Sequence, residues 1–138
     1  MSLKTSAEPG FLLAVAGGNF SLADAKRTFV EMLEAVARAR VRKVLFDGRG
    51  LTGNPKSMER FYYGTFAAEA VMRYAEHGVS RATQFAYVVI PPVLDSRRFG
   101  ETVAMNRGMH VKAFDNIDDA RRWLEIEPAC NPEAGEGK

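Results

Sequence analysis

Short apolar runs alternate with longer segments of helical periodicity along this chain of 138 residues. Four runs predict buried strands, at residues 11–16, 44–46, 85–90 and 111–114. Each run is followed by a segment that predicts a helix, at residues 22–40, 57–75, 96–107 and 116–124. This β-α-β-α-β-α-β-α order favours an α/β fold, with helices packed on a small, mixed and mainly parallel sheet of four or five strands.

Capping residues support these helix boundaries. The predicted N-caps or helix starts, in chain order, are Ser21, Lys56 or Ser57, Asp95 or Ser96, and Asp115 or Asn116. Gly78 predicts a left-handed stop after the second helix. Right-handed crossovers would bring the carboxyl ends of the parallel strands and the helix N-termini to one edge of the sheet. We therefore expect the connecting loops at that edge to hold any binding site.

One domain is expected for a chain of this length. Residues 1–10 are polar and predict an N-terminal arm or edge strand, whereas residues 11–126 carry the alternating pattern of a single domain. Residues 127–138 are polar and rich in proline and glycine, which favours a flexible tail.

Charge and cysteine content exclude several classes of function. The 19 basic and 17 acidic residues give a net charge of +2, too balanced to predict a nucleic-acid partner. Cys130 is the one cysteine, so neither an intrachain disulfide nor a cysteine-based zinc site is expected, and a cytoplasmic location is predicted. The apolar runs are far shorter than the roughly 20 residues of a membrane-spanning helix, which leaves open only peripheral contact with a membrane surface.

Residues 44–63 are the most suggestive part for a ligand, because a strand, Asp47, a glycine-rich stretch and a helix start follow one another there. These glycines lack the spacing of a phosphate-binding loop, and the paired glycines after the first strand do not open a dinucleotide motif. His77 and His110 are isolated, and no nucleophile, acid and base share a predicted loop. We therefore expect a non-enzymatic protein without a cofactor or metal.

The second predicted helix carries more apolar residues than one buried face requires. Part of this surplus is expected at the surface or in a groove, in contact with an apolar ligand, a partner protein or a membrane. A homodimer mate that covers the helix is an equally weighted alternative. The predicted ligand-binding residues are Met58, Phe61, Tyr62 and Phe66, with Arg97 and Arg98 of the third helix for an acidic group.

Three segments resemble the SpoIIAA-like proteins of the STAS/SEC14-like class. They read KVLFDGRGLTG, MERFYYGTFAAEAV and RRFGETVAMNRGMHVKAFDNIDDARRWL, and the resemblance covers about residues 11–124. It implies a small α/β domain similar to anti-sigma-factor antagonists, with residues 1–8 as an edge strand. It also implies non-enzymatic binding of small apolar molecules, in some members at a membrane.

Ser57 occupies the place of the serine that is phosphorylated in anti-sigma-factor antagonists. In that family the serine follows an aspartate and precedes small residues, whereas this chain reads Lys56-Ser57-Met58-Glu59. A helix N-terminus favours a phosphate, but Glu59 would repel it. A helix N-cap is the alternative role for this serine, and the one that its position favours.

The sequence thus predicts a non-enzymatic module that binds a small hydrophobic or amphiphilic, lipid-like ligand between the second and third helices. The alternative is a regulatory protein–protein interaction module of the anti-sigma-factor-antagonist type, with Ser57 as its switch.

Overall fold

Strands and helices alternate along the chain in the predicted order. The computed structural model describes residues 1–94 and 99–126, and the predicted tail lies outside them. The strands are β1 (Ser2–Glu8), β2 (Phe11–Asn19), β3 (Lys43–Thr52), β4 (Gln84–Val88) and β5 (Val111–Phe114). The helices are α1 (Leu22–Ala39), α2 (Ser57–Tyr74), α3 (Phe99–Asn106) and α4 (Ile117–Leu124), and a 3₁₀ turn (Ala75–His77) follows α2.

The strands form a five-stranded sheet in the order β1-β2-β3-β4-β5. β1 is antiparallel to β2, and the turn between them includes Gly10, which has a φ of 86°. β2, β3, β4 and β5 are parallel to their neighbours. The sheet confirms the predicted mixed, mainly parallel α/β fold, and residues 2–8 form its edge strand.

Successive residues of the central strands point to opposite faces of the sheet, and helices cover both faces. On one side, Val44 and Phe85 join the larger core beneath α1, α2 and α3. On the other side, Leu45 and Ala86 pack against α4 through Leu124. Parallel strands that are buried on both faces read as continuous apolar runs, which is why the sequence shows no alternation in them.

β2 and β3 extend beyond the predicted strands because glycines continue them instead of ending them. The stretch between the predicted strand 44–46 and the predicted helix from residue 57 is strand as far as Thr52, so only residues 53–56 connect β3 to α2. A Cβ atom on Gly48 would lie 2.8–3.0 Å from three side-chain atoms of the core, which leaves no room for one. Gly17 and Gly50 are register partners where the pairing of β2 with β3 shifts. Gly48 therefore serves close packing of the core, and these glycines lie within strands instead of forming a ligand-binding loop.

Most of the predicted helix caps are confirmed. Ser21 and Asn116 each accept a hydrogen bond from a first-turn backbone N–H, at 3.3 and 2.7 Å. Gly78 has the predicted left-handed backbone, with a φ of 100°. The predicted caps of α3, Asp95 and Ser96, lie outside the described residues.

Candidate functional site

α2 packs against the rest of the protein through its smallest residues. Its buried positions are Gly64, Ala67, Ala68, Ala70 and Val71. Most of its large apolar side chains lie on its flanks and outer face. Part of the apolar surplus predicted from the sequence therefore reaches the protein surface, where a partner can contact it.

Met58, Phe61 and Tyr62 form an apolar patch on the first two turns of α2. Met58 and Tyr62 are 59% and 47% exposed, and their spacing of four residues places them on the same side of the helix. The ring of Phe61 meets that of Tyr62 edge-on, with 5.6 Å between centroids. The guanidinium of Arg107 lies 5.8 Å from the centroid of Phe61. The patch therefore combines exposed apolar side chains with a cation on its flank.

Phe66 lies on the flank of α2 that faces α1. The ammonium of Lys26 in α1 is 5.5 Å from the Phe66 ring centroid, and the guanidinium of Arg73 is 5.8 Å from it. Two cations thus contact this ring. Arg97 and Arg98 lie outside the described residues, so the predicted groove with apolar walls and a cationic end stays a prediction.

Ser57 is the first residue of α2, and Lys56 is its N-cap. The interpretation of Ser57 as the N-cap is therefore wrong. The carboxylate of Glu59 accepts a hydrogen bond of 2.8 Å from the backbone N–H of Lys56, which satisfies a donor at the helix start. The Ser57 side chain is exposed, and it makes no hydrogen bond within the described part of the chain. Its hydroxyl can be modified without loss of the cap.

Asp47 is paired within β3 and does not end a strand at an open site. Its carboxylate oxygens accept hydrogen bonds from Nε and Nη2 of Arg49, at 2.9 and 2.8 Å. These bonds hold the pKa of Asp47 below its ordinary value. A carboxylate that is paired in this way is poorly placed to act as a general acid or base.

Arg60 ties the start of α2 to the turn that follows β4. Its Nη1 donates to the backbone carbonyl of Val93 at 2.7 Å, and its Nη2 donates to that of Pro92 at 3.0 Å. The backbone N–H of Phe20 donates to the carbonyl of Thr52 at 2.9 Å, at the same edge of the sheet. The connections after β2, β3 and β4 thus meet where the parallel topology predicts, beside the first turns of α2.

A partly enclosed cavity of about 130 Å³ lies between the sheet and helices α1, α2 and α3. Its walls are mostly apolar and include Phe20, Phe46, Leu51, Ala67, Val89 and Met109. The predicted ligand-binding residues Met58, Phe61, Tyr62 and Phe66 are not among its lining residues. This cavity therefore lies on the inner side of α2, whereas the exposed patch lies on the outer side.

The hydroxyls of Tyr63 and Tyr87, both of which line the cavity, meet at a distance of 2.8 Å. Tyr87 stacks on Phe46 with 4.4 Å between centroids, and Tyr63 meets Phe29 edge-on at 6.0 Å. Burial raises the pKa of Tyr63 to about 12 and that of Tyr87 well above its ordinary value. Both hydroxyls are therefore neutral hydrogen-bonding groups at physiological pH.

The sequence interpretation missed Tyr63, Tyr87 and Arg60. Tyr87 interrupts the apolar run of β4, and a tyrosine in a buried strand needs a partner for its hydroxyl. That partner, Tyr63, lies 24 positions away along the chain. Only the fold identifies it, because Tyr63 stands next to the surface aromatics of α2 in the sequence.

In residues 1–94 and 99–126, no group of three or more His, Cys, Asp or Glu side chains is placed to hold a metal ion. None of the helices found there has the length and apolar character needed to cross a bilayer.

Among solved structures, this chain is similar to an anti-sigma factor antagonist from Mycobacterium paratuberculosis. The two share 13% sequence identity with a TM-score of 0.57, over 90% of this chain and 93% of the other. No protein-family model and no curated protein matches the chain. A likeness at 13% identity shows the fold alone. In fold, it bears out the resemblance to anti-sigma-factor antagonists.

Proposed function

We propose that this chain is a non-enzymatic, regulatory protein–protein interaction module of the anti-sigma-factor-antagonist type. Its contact surface is the start of α2, formed by Ser57, Met58 and Tyr62 and termed the α2 docking surface. Its partner is a protein with an apolar pocket or groove for these side chains.

The exposure of Met58 and Tyr62 carries this proposal. Full burial of a methionine or aromatic side chain contributes about 1.5–3 kcal/mol, and a few such anchors dominate the affinity of most protein interfaces. The two side chains are 59% and 47% exposed, so much of their surface is open to a partner. The similar fold of an anti-sigma factor antagonist supports a protein partner over a lipid.

Ser57 is the switch in this proposal. Its hydroxyl is exposed at the first position of an 18-residue helix. A phosphate there is attracted by the helix dipole and by the ammonium of the neighbouring Lys56, and is repelled by the carboxylate of Glu59. It would also add about two negative charges beside Met58, which opposes burial of that side chain in an apolar pocket. Phosphorylation of Ser57 is therefore expected to weaken partner binding.

The predicted lipid-like ligand gains no support. The cavity beneath α2 has a volume of about 130 Å³, close to that of a cavity that holds one benzene ring, and this is too small for a long acyl chain. Contact with a membrane surface, a homodimer and a cytoplasmic location stay predictions.

Partner capture from an extract of the source organism tests the proposal. The tagged wild-type chain serves as bait beside a Met58→Glu/Tyr62→Glu variant. Met105→Glu is the matched control, because Met105 is a 52% exposed methionine on another helix. We expect the wild-type and control baits to enrich the same protein, and the double variant to recover it at least about tenfold less, as for the loss of an interface anchor.

Ser57→Asp and Ser57→Ala baits test the switch. We expect Ser57→Asp to capture less of the partner and Ser57→Ala to match the wild type, because only the first adds charge. Equal capture by the double variant and the control would contradict the α2 docking surface. Equal capture by Ser57→Asp and Ser57→Ala would contradict the switch but not the surface.

A further inference from the structure

The cavity on the inner side of α2 has the size and the lining of a site for a small ring. Its volume of about 130 Å³ is close to that of an apolar cavity of about 150 Å³ that stays dry and binds benzene. Its walls come from the sheet and from three helices, and Phe46, Ala67 and Met109 illustrate their apolar character. An empty cavity of this kind costs stability, so an occupant that fills it is favoured.

Several polar side chains also reach the wall, and most of them are already engaged. The hydroxyl of Thr28 donates to the carbonyl of Ala25 at 3.1 Å. The guanidinium of Arg60 donates to two backbone carbonyls. The carboxylate of Glu101 accepts a hydrogen bond of 2.6 Å from the backbone N–H of Ala113.

The Tyr63–Tyr87 pair is different, because its hydroxyls share a single hydrogen bond. Each hydroxyl has one proton and two lone pairs, and within the described residues these two groups bond only to each other. One O–H donor and several lone pairs therefore remain for an occupant of the cavity. In an apolar cavity, an O–H donor without a partner favours binding of a ligand that accepts a hydrogen bond from it.

We propose that this cavity binds a small, neutral, single-ring compound with one hydroxyl or carbonyl group, which hydrogen-bonds to the Tyr63–Tyr87 pair. Phenol represents this class. The site is separate from the α2 docking surface, and the inference does not depend on the proposed function. The ring fills the apolar volume, and its oxygen accepts a hydrogen bond from the remaining tyrosine O–H.

The surroundings of the cavity exclude charged and long ligands. An anion would meet the carboxylate of Glu101 on the wall, while two N–H groups of Arg60 donate to backbone carbonyls. A long acyl chain exceeds the volume of the cavity. We therefore expect phenol to bind more tightly than toluene, and both to bind more tightly than benzoate and decanoate.

Isothermal titration calorimetry with these four compounds tests the inference. Ala67→Leu and Ala104→Leu fill the cavity from α2 and α3, respectively, and circular dichroism selects the variants that fold. A Tyr63→Phe/Tyr87→Phe variant removes the hydroxyls but keeps the rings. We expect the wild type to bind phenol in the millimolar range or tighter, and each folded filling variant to bind it at least about tenfold more weakly.

The tyrosine variant separates the hydrogen bond from the apolar volume. It should bind phenol roughly three- to tenfold more weakly than the wild type does, while toluene binding stays unchanged. Any of three results would overturn the inference. These are no binding of phenol by the wild type, equal binding by a folded filling variant, and tighter binding of benzoate or decanoate than of phenol.

Discussion

Removal of either hydroxyl from the Tyr63–Tyr87 pair should destabilise the protein more than removal of both. In Tyr63→Phe, the hydroxyl of Tyr87 loses its 2.8 Å partner, beside a mostly apolar cavity that both residues line. A buried polar group that is left without a partner costs about 1–3 kcal/mol, whereas replacing both partners by apolar groups is close to neutral. We therefore expect each single variant to lower the free energy of unfolding by about 1–2 kcal/mol, and the double variant by less than about 1 kcal/mol.

Urea unfolding of the wild type, the two single variants and the double variant gives a double-mutant cycle for this pair. The expected coupling between the two hydroxyls is at least about 1 kcal/mol, well above the roughly 0.3–0.5 kcal/mol error of additivity for independent sites. Equal m-values across the set would show that the unfolded states are comparable. Additive losses would refute the reasoning, because they would mean that water or another group already satisfies each hydroxyl separately.

The same pair predicts a stability difference that depends on pH. Tyr63 has an ordinary pKa of 10.0, which burial raises to about 12 in the folded protein. Between these values the unfolded chain has released this proton and the folded chain has kept it, so the free energy of unfolding falls as pH rises. For a shift of this size, the wild type loses at most about 3 kcal/mol of its free energy of unfolding through this group as pH rises from 10 to 12, and none of it below pH 10. The difference between the wild type and the double variant should be constant from about pH 7 to 9 and decrease from about pH 10 to 12.

Three further changes should alter the urea midpoint in stated directions. Gly48→Ala should lower the free energy of unfolding by about 1–3 kcal/mol, because its Cβ would lie 2.8–3.0 Å from core side chains. The matched change Gly17→Ala, whose Cβ would meet its nearest atom at 3.7 Å, should cost less than about 0.5 kcal/mol, and equal losses would contradict this. Thr65→Val should raise it by about 1 kcal/mol, since the Thr65 hydroxyl is buried without a partner among the described residues; a loss would mean that the hydroxyl is satisfied. Glu59→Ala should lower it by about 0.5–1 kcal/mol, because the carboxylate caps the N–H of Lys56, and no change would mean that water replaces the cap.

The fold was predictable from the sequence because its signals are local. An apolar run of strand length followed by an amphipathic segment specifies a strand and a helix without knowledge of their neighbours. Ser21 and Asn116 are caps in the structure as in the prediction, because a cap is a contact between residues two or three positions apart. The repeated order of these units then favours a mainly parallel sheet.

The glycines were misread because their role is not local. In the sequence, Gly17 and Gly48 look like strand ends, because glycine is common in the turns that end a strand. In the fold, Gly17 is paired with Gly50 of the neighbouring strand, and Gly48 faces core side chains that allow no Cβ. The pairing of Gly17 and the crowding at Gly48 both depend on which parts of the chain come together in the fold. The predicted connection between strand 44–46 and the helix from residue 57 therefore shortens to residues 53–56.

The outer patch of α2 could be anticipated, but the inner cavity could not. An excess of apolar residues over one helical face is visible in the sequence, and it places Met58 and Tyr62 at the surface. The cavity depends on how much volume the facing side chains leave unfilled, which composition does not reveal. The hydroxyl pair of Tyr63 and Tyr87 in its wall likewise joins a helix to a strand that is distant in the chain.

Small residues on the inner face of α2 account for the cavity beneath this helix. The face that it buries consists of small residues such as Gly64, Ala67 and Ala70, which fill little of the space above the sheet. The cavity borders this face at Gly64 and Ala67. Met58 and Tyr62 lie on another side of the same helix, where they are 59% and 47% exposed. Leucine at the inner positions would fill the cavity and leave this patch in place. The small inner residues of α2 are therefore the sequence property on which the proposed ring site depends, whereas the proposed docking surface depends on the outer residues.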